Sequence, residues 1–475
     1  MTHIIETMAS FITSTKFSDL PYDVIHEMKR VLLDSTGCAI GGLSTERGQI
    51  AVEFSRMLGG PNESTIIGTD SKISCTGAAF ANGELVNALD FDALSPGVVH
   101  VVPIVIPAVL ALAERNGSSG RDLLLAIALG LEIGYRLKPP ADEASTVITK
   151  GVNKGKVMQT PVSGYSTIAL AAASGASKIL HLNKEKTANA IGIAGCICPP
   201  SIFRKFTDTA PVKMTKYGPT GWGAQVGVTA ALLAEKGYTG DTGLFDGMYG
   251  FWTYIGYGEW ESKDMLTELG KNWKSYHIKY KQYPCGGVLA GVIDGFMKII
   301  EENNLNAEDI DEVIAQPLPI VQSRLWQENH LRTPEDYCFN LFYLVACAAN
   351  RIDPVRWQDQ EVRQAPVIHE FMRGVKFDIV IDEKDFSLAK IRDPRSFQMR
   401  VNVFAKGRTF KEKIPYVKGA WEPEEYRNTD EELIKKYMGN TCRVLPVNKA
   451  EQSVKLILDL ENSSNIRQLM NTVIP

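Results

Sequence analysis

The sequence predicts a mainly α protein with a smaller α+β domain, its helical part drawn from both ends of the chain. Three observations predict this. Up to about residue 270 the apolar residues recur at helical spacing or fill whole segments. Between about 275 and 415, strand-like runs alternate with helical ones. Beyond 415 the helical pattern returns, so the last helices are expected to pack back on the first. The expected division is 1–272 with 416–475 as an all-helical bundle domain, and 273–415 as the α+β domain.

In residues 22–40, Val24, Met28, Val31, Leu32 and Cys38 recur at near-helical spacing with polar residues between them, which makes one apolar stripe. Residues 75–89 are rich in Ala and Gly, which lets helices approach closely. Further helices are predicted over 107–115, 122–137, 165–180, 184–197 and 222–236. Several are apolar nearly all round, the mark of helices inside a bundle. Asn183 stands before Lys184 as an N-cap, its side chain able to accept an orphan backbone N–H. In the second part, 312–318 and 375–381 read as strands. Residues 397–403 and 409–414 alternate on either side of Lys406-Gly407, a hairpin whose glycine supplies positive φ. Helices over 287–300 and 334–349 fall between these strands, and helices over 429–438 and 449–460 close the chain.

The chain has 475 residues, 44 % hydrophobic and 22 % charged, an ordinary globular balance that supports a large core. A formal charge of -4 argues against nucleic acid, whose binding rests on a concentrated basic surface. It leaves room for a small anionic substrate in a local basic pocket. The most apolar run, 101–113, is too short for a membrane span and carries Pro103 and Pro107. The amino-terminal MTHIIETMASF has Glu6 within its apolar part and lacks the basic region of a signal peptide, so the cytoplasm is the expected location. Eight cysteines scattered over so long a chain do not suggest a disulfide framework. Cys196 and Cys198 read as buried thiols rather than zinc ligands.

No G-x-S-x-G nucleophile elbow and no glycine-rich strand-to-helix turn occurs. The phosphate-loop-like stretch 151–157 has the wrong spacing and no Ser or Thr after its lysine. What remains is charged residues set in apolar surroundings. In LVNALDFDALSPGVVHVVPIVIPAV, Asp90 and Asp92 end a small-residue helix and His100 opens the next apolar run. A carboxylate and an imidazole at one mouth make an acid–base pair, the carboxylate fixing the imidazole tautomer. Helix caps are the plainer alternative. In FRKFTDTAPVKMTKYGPTGWGAQVGVTAALL, Arg204, Lys205, Lys213 and Lys216 precede a helix amino terminus. There the dipole and free N–H groups add to their charge, and a carboxylate is the natural guest. A solvated basic loop is the alternative. In YKQYPCGGVLAGVIDG, Tyr283 offers a hydrogen bond and the glycines permit close approach of a ligand. Cys285 has no neighbour that clearly lowers its pKa, and a structural turn is the favoured reading of this segment.

At these same segments the chain resembles the MmgE/PrpD family. The resemblance rests on LLDSTGCAIGG, AAFANGELVNALDFD followed by His100 and IVIPAVLALAE, GRDLLLAIALGLEIGYRL, KMTKYGPTGWGAQVGVTAALLAEKGYTG, YPCGGVLAGVIDG and TPEDYCFNLFYLVACA, in that order along nearly the whole chain. It implies a large helical domain, an α+β lid, a homodimer, and an active site between the domains with no metal or organic cofactor. It implies a lyase, dehydratase or decarboxylase, acting on a small di- or tricarboxylate through a carbanion. An epimerase and a non-catalytic binding homologue are the alternatives. Asp90, His100 and Lys216 match the family's acidic, histidine and lysine positions. Asp92, Arg204, Lys213 and Tyr283 are the substrate contacts expected beside them. The chain departs from the family pattern at VMQTPVSGY, Ala290 and Pro219, where a histidine is common, and at Trp326 and Leu94, where tyrosine and a polar residue are common. These departures point away from the usual tricarboxylate.

Overall fold

The computed structural model describes residues 4–95, 100–137, 145–147, 157–159, 165–198, 206, 209–218, 220–254, 263–317, 331–379 and 399–475. Its first part is a stack of helices: α1 Ile4–Ser14, α2 Tyr22–Gly42, α3 Glu46–Leu58, α4 Cys75–Ala88, α5 Val102–Asn116, α6 Gly120–Arg136, α7 Tyr165–Ile179, α8 Lys184–Ile197 and α9 Thr220–Glu235. Most bounds fall within two or three residues of those predicted. Asn183 caps α8 as expected, its side chain accepting from the Lys186 N–H. The amino-terminal segment, read only as lacking a signal peptide, forms α1. Its Ile5, Met8, Ala9 and Ile12 share one face and bury it.

α5 starts five residues before the predicted position. Pro103 is tolerated in the first turn, where its missing N–H has no partner to lose. Pro107 lies inside the helix and leaves the Pro103 carbonyl without its usual donor four residues on. That carbonyl faces α4 so closely that a Cβ added to Gly83 would sit 3.0 Å from it and 2.9 Å from Gly221 Cα of α9. The small residues of α4 and α9 therefore bring three helix backbones together.

The α+β part holds a four-stranded sheet of β1 Ile310–Gln316, β2 Lys376–Ile379, β3 Met399–Ala405 and β4 Arg408–Ile414, in the order β2-β1-β3-β4. β1 and β2 are parallel, and the other pairs are antiparallel. Ala405 pairs with Arg408 across the two-residue turn Lys406-Gly407, whose φ of 51° and 69° are those of a type I′ hairpin. The helix Ala290–Glu302 covers this sheet. The single helix predicted over 334–349 is broken into Pro334–Tyr337 and Leu341–Ala349. Asn340 makes the break, because its side chain caps the second piece through the Tyr343 N–H.

The carboxy-terminal helices Asp430–Thr441 and Val447–Leu458 pack on α2. Gly37 of α2 allows the fit, since a Cβ there would come to 3.0 Å from the Tyr437 ring. The eight cysteines are all free thiols. Cys198 is buried as predicted, but Cys196 is exposed, because it lies on the outward face of the last turn of α8. Among the described residues, no helix is long and apolar enough to cross a membrane.

Candidate active site

Asp90 follows the last residue of α4 and its cap Leu89, in the left-handed region with φ 55°. Glycine usually takes that place after a helix, and a residue with a Cβ is strained there by about 1 kcal/mol or more. The strain buys a charged side chain at a fixed point in the core. The Asp90 carboxylate is fully buried. Lys216 Nζ is 2.9 Å from its Oδ2, and the Tyr217 hydroxyl donates to the same oxygen at 2.8 Å. Lys281 Nζ donates to Oδ1 and also to the Asp90 backbone carbonyl. Burial pushes the Asp90 carboxyl upward in pKa, but the Lys216 and Lys281 ammonium groups and His100 outweigh it. The group is held well below the usual carboxylate range.

His100 approaches the same carboxylate, its Nε2 3.8 Å from the Asp90 Oδ1 that Lys281 also binds. Its Nδ1 is 2.6 Å from Asp92 Oδ2. Asp92 therefore holds a proton on Nδ1 and turns Nε2 toward Asp90 and the lysines. Burial raises the Asp92 carboxyl, but His100 outweighs it and the net shift is downward. The other Asp92 oxygen accepts from Asn87 Nδ2 at 3.0 Å, and the Asn87 carbonyl accepts from Arg47 at 3.0 Å. Arg47 is itself paired with Glu84 at 2.8 Å. This chain of buried bonds runs from α3 through α4 to the imidazole, so each rotamer is fixed by the next.

The structure thus brings Asp90, Asp92, His100 and Lys216 together, and divides the roles left open between the two aspartates. Asp92 orients the imidazole, whereas Asp90 is the partner of the lysines. The other sequence candidates fall elsewhere. The Lys213 side chain is exposed, three residues before the buried Lys216. Tyr283 lies flat on Trp357, with ring centroids 5.2 Å apart, and bonds to Asp294 rather than to the Asp90 centre. Arg204 lies outside the described residues, as do Pro219 and Trp326. The amino terminus of α9, expected to receive an external carboxylate, is occupied by the protein's own. Glu84 Oε1 accepts the Gly221 N–H at 2.7 Å. Burial pushes the Cys285 thiol well up, which keeps it protonated and inert.

Sequence reasoning missed Lys281 and Tyr217. Lys281 had a signal, a lysine between tyrosines just before the Pro-Cys-Gly-Gly turn. Backbone pairing of Leu94 with Lys279 sets its direction, with N–H···O bonds of 2.8 and 2.9 Å. Side chains alternate along such a strand, so Tyr280 points away, to Glu27, and Lys281 points at Asp90. On the Tyr280 side, an open pocket of about 300 Å³ is lined by Glu27, Arg30, Tyr276 and Arg427. Arg30 and Arg427 both pair with Glu27 there, at 3.2 and 2.8 Å, and the half-buried His26 lining it is held by Asp430 at 3.1 Å.

Asp90, Asp92 and His100 place one donor atom each within 4.8 Å, a spacing a metal ion would accept. Both Asp90 oxygens already bind ammonium groups, however, and Asp92 binds the imidazole. A cation there would meet two lysine charges at once, so the donor set does not fit a metal.

Comparison with known proteins bears on the family of the chain. The profile of the MmgE/PrpD N-terminal domain matches residues 6–262, and that of the C-terminal domain matches residues 283–462. A cis-aconitate decarboxylase of Homo sapiens is 26 % identical over 97 % of this chain and 92 % of its own length. The cis-aconitate decarboxylase-like protein oryM of Aspergillus oryzae is 28 % identical, over 62 % of this chain and 60 % of the fungal protein. The match to a cis-aconitate decarboxylase of Aspergillus terreus, 27 % identical, likewise spans 61 % of that protein. With both domain profiles matched in order along most of its length, the chain belongs to the MmgE/PrpD family.

Proposed function

We propose that the protein is a lyase that removes carbon dioxide or water from a small di- or tricarboxylic acid, without a metal or organic cofactor. One observation carries this reading. A buried carboxylate, Asp90, is shared by two ammonium groups, and an imidazole with a fixed tautomer lies 3.8 Å away. Lys216 donates one N–H to Asp90 and Lys281 donates two, so each keeps a donor for an anionic oxygen. Such donors stabilise an enediolate strongly where water is excluded, and all five charged side chains here are at most 3 % exposed.

In a decarboxylation the bond between carbon and the leaving carboxylate breaks. Its electron pair is delocalised into the remaining acid group, held by Lys216 and Lys281. Carbon takes the Nε2 proton of a His100 that entered the step as imidazolium, leaving the neutral imidazole with its proton on Nδ1 against Asp92. In a dehydration His100 instead takes the proton beside the carboxylate, and hydroxide leaves with a proton from an ammonium group. The relatives named as cis-aconitate decarboxylases support the first of these. A homodimer belongs to the proposal. Ile50, Phe54, Met57 and Leu58 line one side of α3, and Phe54 continues through Phe80 to Trp222 of α9 in edge-to-face contacts of 5.4 and 5.5 Å. Ile50 is 49 %, Met57 75 % and Trp222 43 % exposed, an apolar stripe that a second copy would cover.

The test is His100→Gln, assayed on a set of small polycarboxylates in heavy water. The substitution keeps much of the shape but cannot cycle a proton. It should lower kcat by about 10²–10⁴ with little change in KM, and remove deuterium incorporation beside the carboxylate. Release of carbon dioxide or water by the wild type identifies the lyase. A labelled mirror-configured product without release identifies an epimerase. Wild-type kcat in the variant would refute the role of His100.

A further inference from the structure

We propose that Lys436, from the carboxy-terminal helix Asp430–Thr441, is a positioning residue of the active site, holding the Asp90 loop and the Lys281 strand at a fixed separation from behind. The inference deepens the proposed function and rests on it. The Lys436 side chain is 10 % exposed, and its ammonium group meets three oxygens. It donates to the Phe91 carbonyl at 2.7 Å and to the Lys281 carbonyl at 3.1 Å, and lies 2.7 Å from Asp34 Oδ1. It also sits over the Phe91 ring, 3.9 Å from the centroid.

Phe91 lies between the two aspartates of the centre, and Lys281 is one of the two lysines on Asp90. One ammonium group therefore ties together the backbones that carry Asp90, Asp92 and Lys281. Asp34, fully buried on α2, completes the brace by accepting the Ala93 N–H and neutralising Lys436. The loop is thus held at Phe91 and Ala93 from behind, while Lys281 Nζ holds the Asp90 carbonyl and carboxylate in front. Neither Lys436 nor Asp34 touches the face of Asp90 that His100 and the lysine N–H groups share. They act through the backbone of the loop and strand and through the Phe91 ring. An error of about 1 Å in such a centre lowers rate about 100-fold, so a brace of this kind has a large effect without contacting substrate.

The test compares Lys436→Met with the double variant Asp34→Asn/Lys436→Met. The double variant leaves no buried charge behind and stays folded where the single one fails to. Two readouts are taken on the full-length protein. The first is steady-state kinetics, where kcat should fall about 10–100-fold while KM stays within about threefold. The second needs no turnover. It is the rate at which trinitrobenzenesulfonate labels Lys281, followed by peptide mass spectrometry. Loosening the brace should make Lys281 react several-fold faster. Lys178, held by the carbonyls of Ile12, Thr13 and Thr15 in a remote part of the bundle, should label at the wild-type rate. If the folded double variant keeps wild-type kcat and wild-type labelling of Lys281, the proposal is overturned. Faster labelling of both lysines alike also overturns it, because that reports general loosening. If the wild type turns over none of the acids, the proposed function fails, and the labelling arm still decides whether Lys436 holds Lys281.

Discussion

The substitution Asp90→Asn isolates the charge at the centre while preserving its shape. In the wild type one carboxylate neutralises two ammonium groups that are each 3 % exposed. With Lys216 Nζ at 2.9 Å, an effective dielectric of about 20 gives a pair attraction of roughly 5–6 kcal/mol before the cost of removing the ions from water. Breaking one such buried pair typically destabilises a protein by about 3–5 kcal/mol, because the remaining charge is left without a partner. The amide also turns a donor toward one of the ammonium groups. The expected loss is therefore about 3–5 kcal/mol at pH 7, limited by the release of a proton from one lysine.

The pH dependence follows from Lys281. Burial alone would lower its pKa, but Asp90 and Asp92 outweigh that and hold it above the ordinary lysine value. The stability this contributes is fully present below the unfolded lysine value of about 10.4, and is lost as pH rises through the folded one. The variant lacks it throughout. Urea unfolding followed by far-ultraviolet circular dichroism should thus show the largest gap between the two proteins near neutrality, narrowing as pH approaches 11. An unchanged midpoint at pH 7 would refute the argument that an ionised Asp90 bridges two ammonium ions.

Two further outcomes are expected. Asp294, which accepts the Lys418 N–H at 3.0 Å and the Tyr283 hydroxyl, is raised by burial from 3.8 to about 6. A carboxyl with a raised folded value is best tolerated below its unfolded value, and its ionisation costs stability as pH rises between the two. Asp294→Asn should therefore gain on the wild type in thermal stability from about pH 4 to pH 6, and a constant difference across that window would contradict the shift. The double substitution Ile50→Glu/Met57→Glu should convert a dimer to a monomer in light scattering without changing the helical signal. A wild type that is monomeric at all concentrations would remove the proposed interface.

Much of the fold was legible because it follows from near neighbours in sequence. The helices showed themselves through apolar spacing, α8 through Asn183, and the β3–β4 turn through Lys406-Gly407. Where local signals compete, the reading slipped. Pro107 looked like a helix start but lies inside α5, whose first turn already opens on Val102-Pro103 and packs closely on Gly83 of α4. Asn340 was hidden within an apolar helical run, yet it caps a new helix.

The candidate site divides in the same way. Sequence by itself determined that Asp90, Asp92, His100 and Lys216 are charged groups set in segments otherwise small or apolar, and that no standard nucleophile or nucleotide motif is present. Residue chemistry did not separate Lys213 from Lys216, three positions apart, and only the family resemblance singled out Lys216. Tertiary structure alone decided that one is exposed and the other lies 2.9 Å from Asp90. It also decided that Glu84, not a ligand, fills the amino terminus of α9, that Asp92 orients the imidazole, and that Lys281 comes 191 residues along the chain to meet Asp90. The physical reason is range. Backbone conformation and the buried face of a helix are set by residues a few positions apart, whereas a buried charge is defined by partners that only chain closure brings within 3 Å.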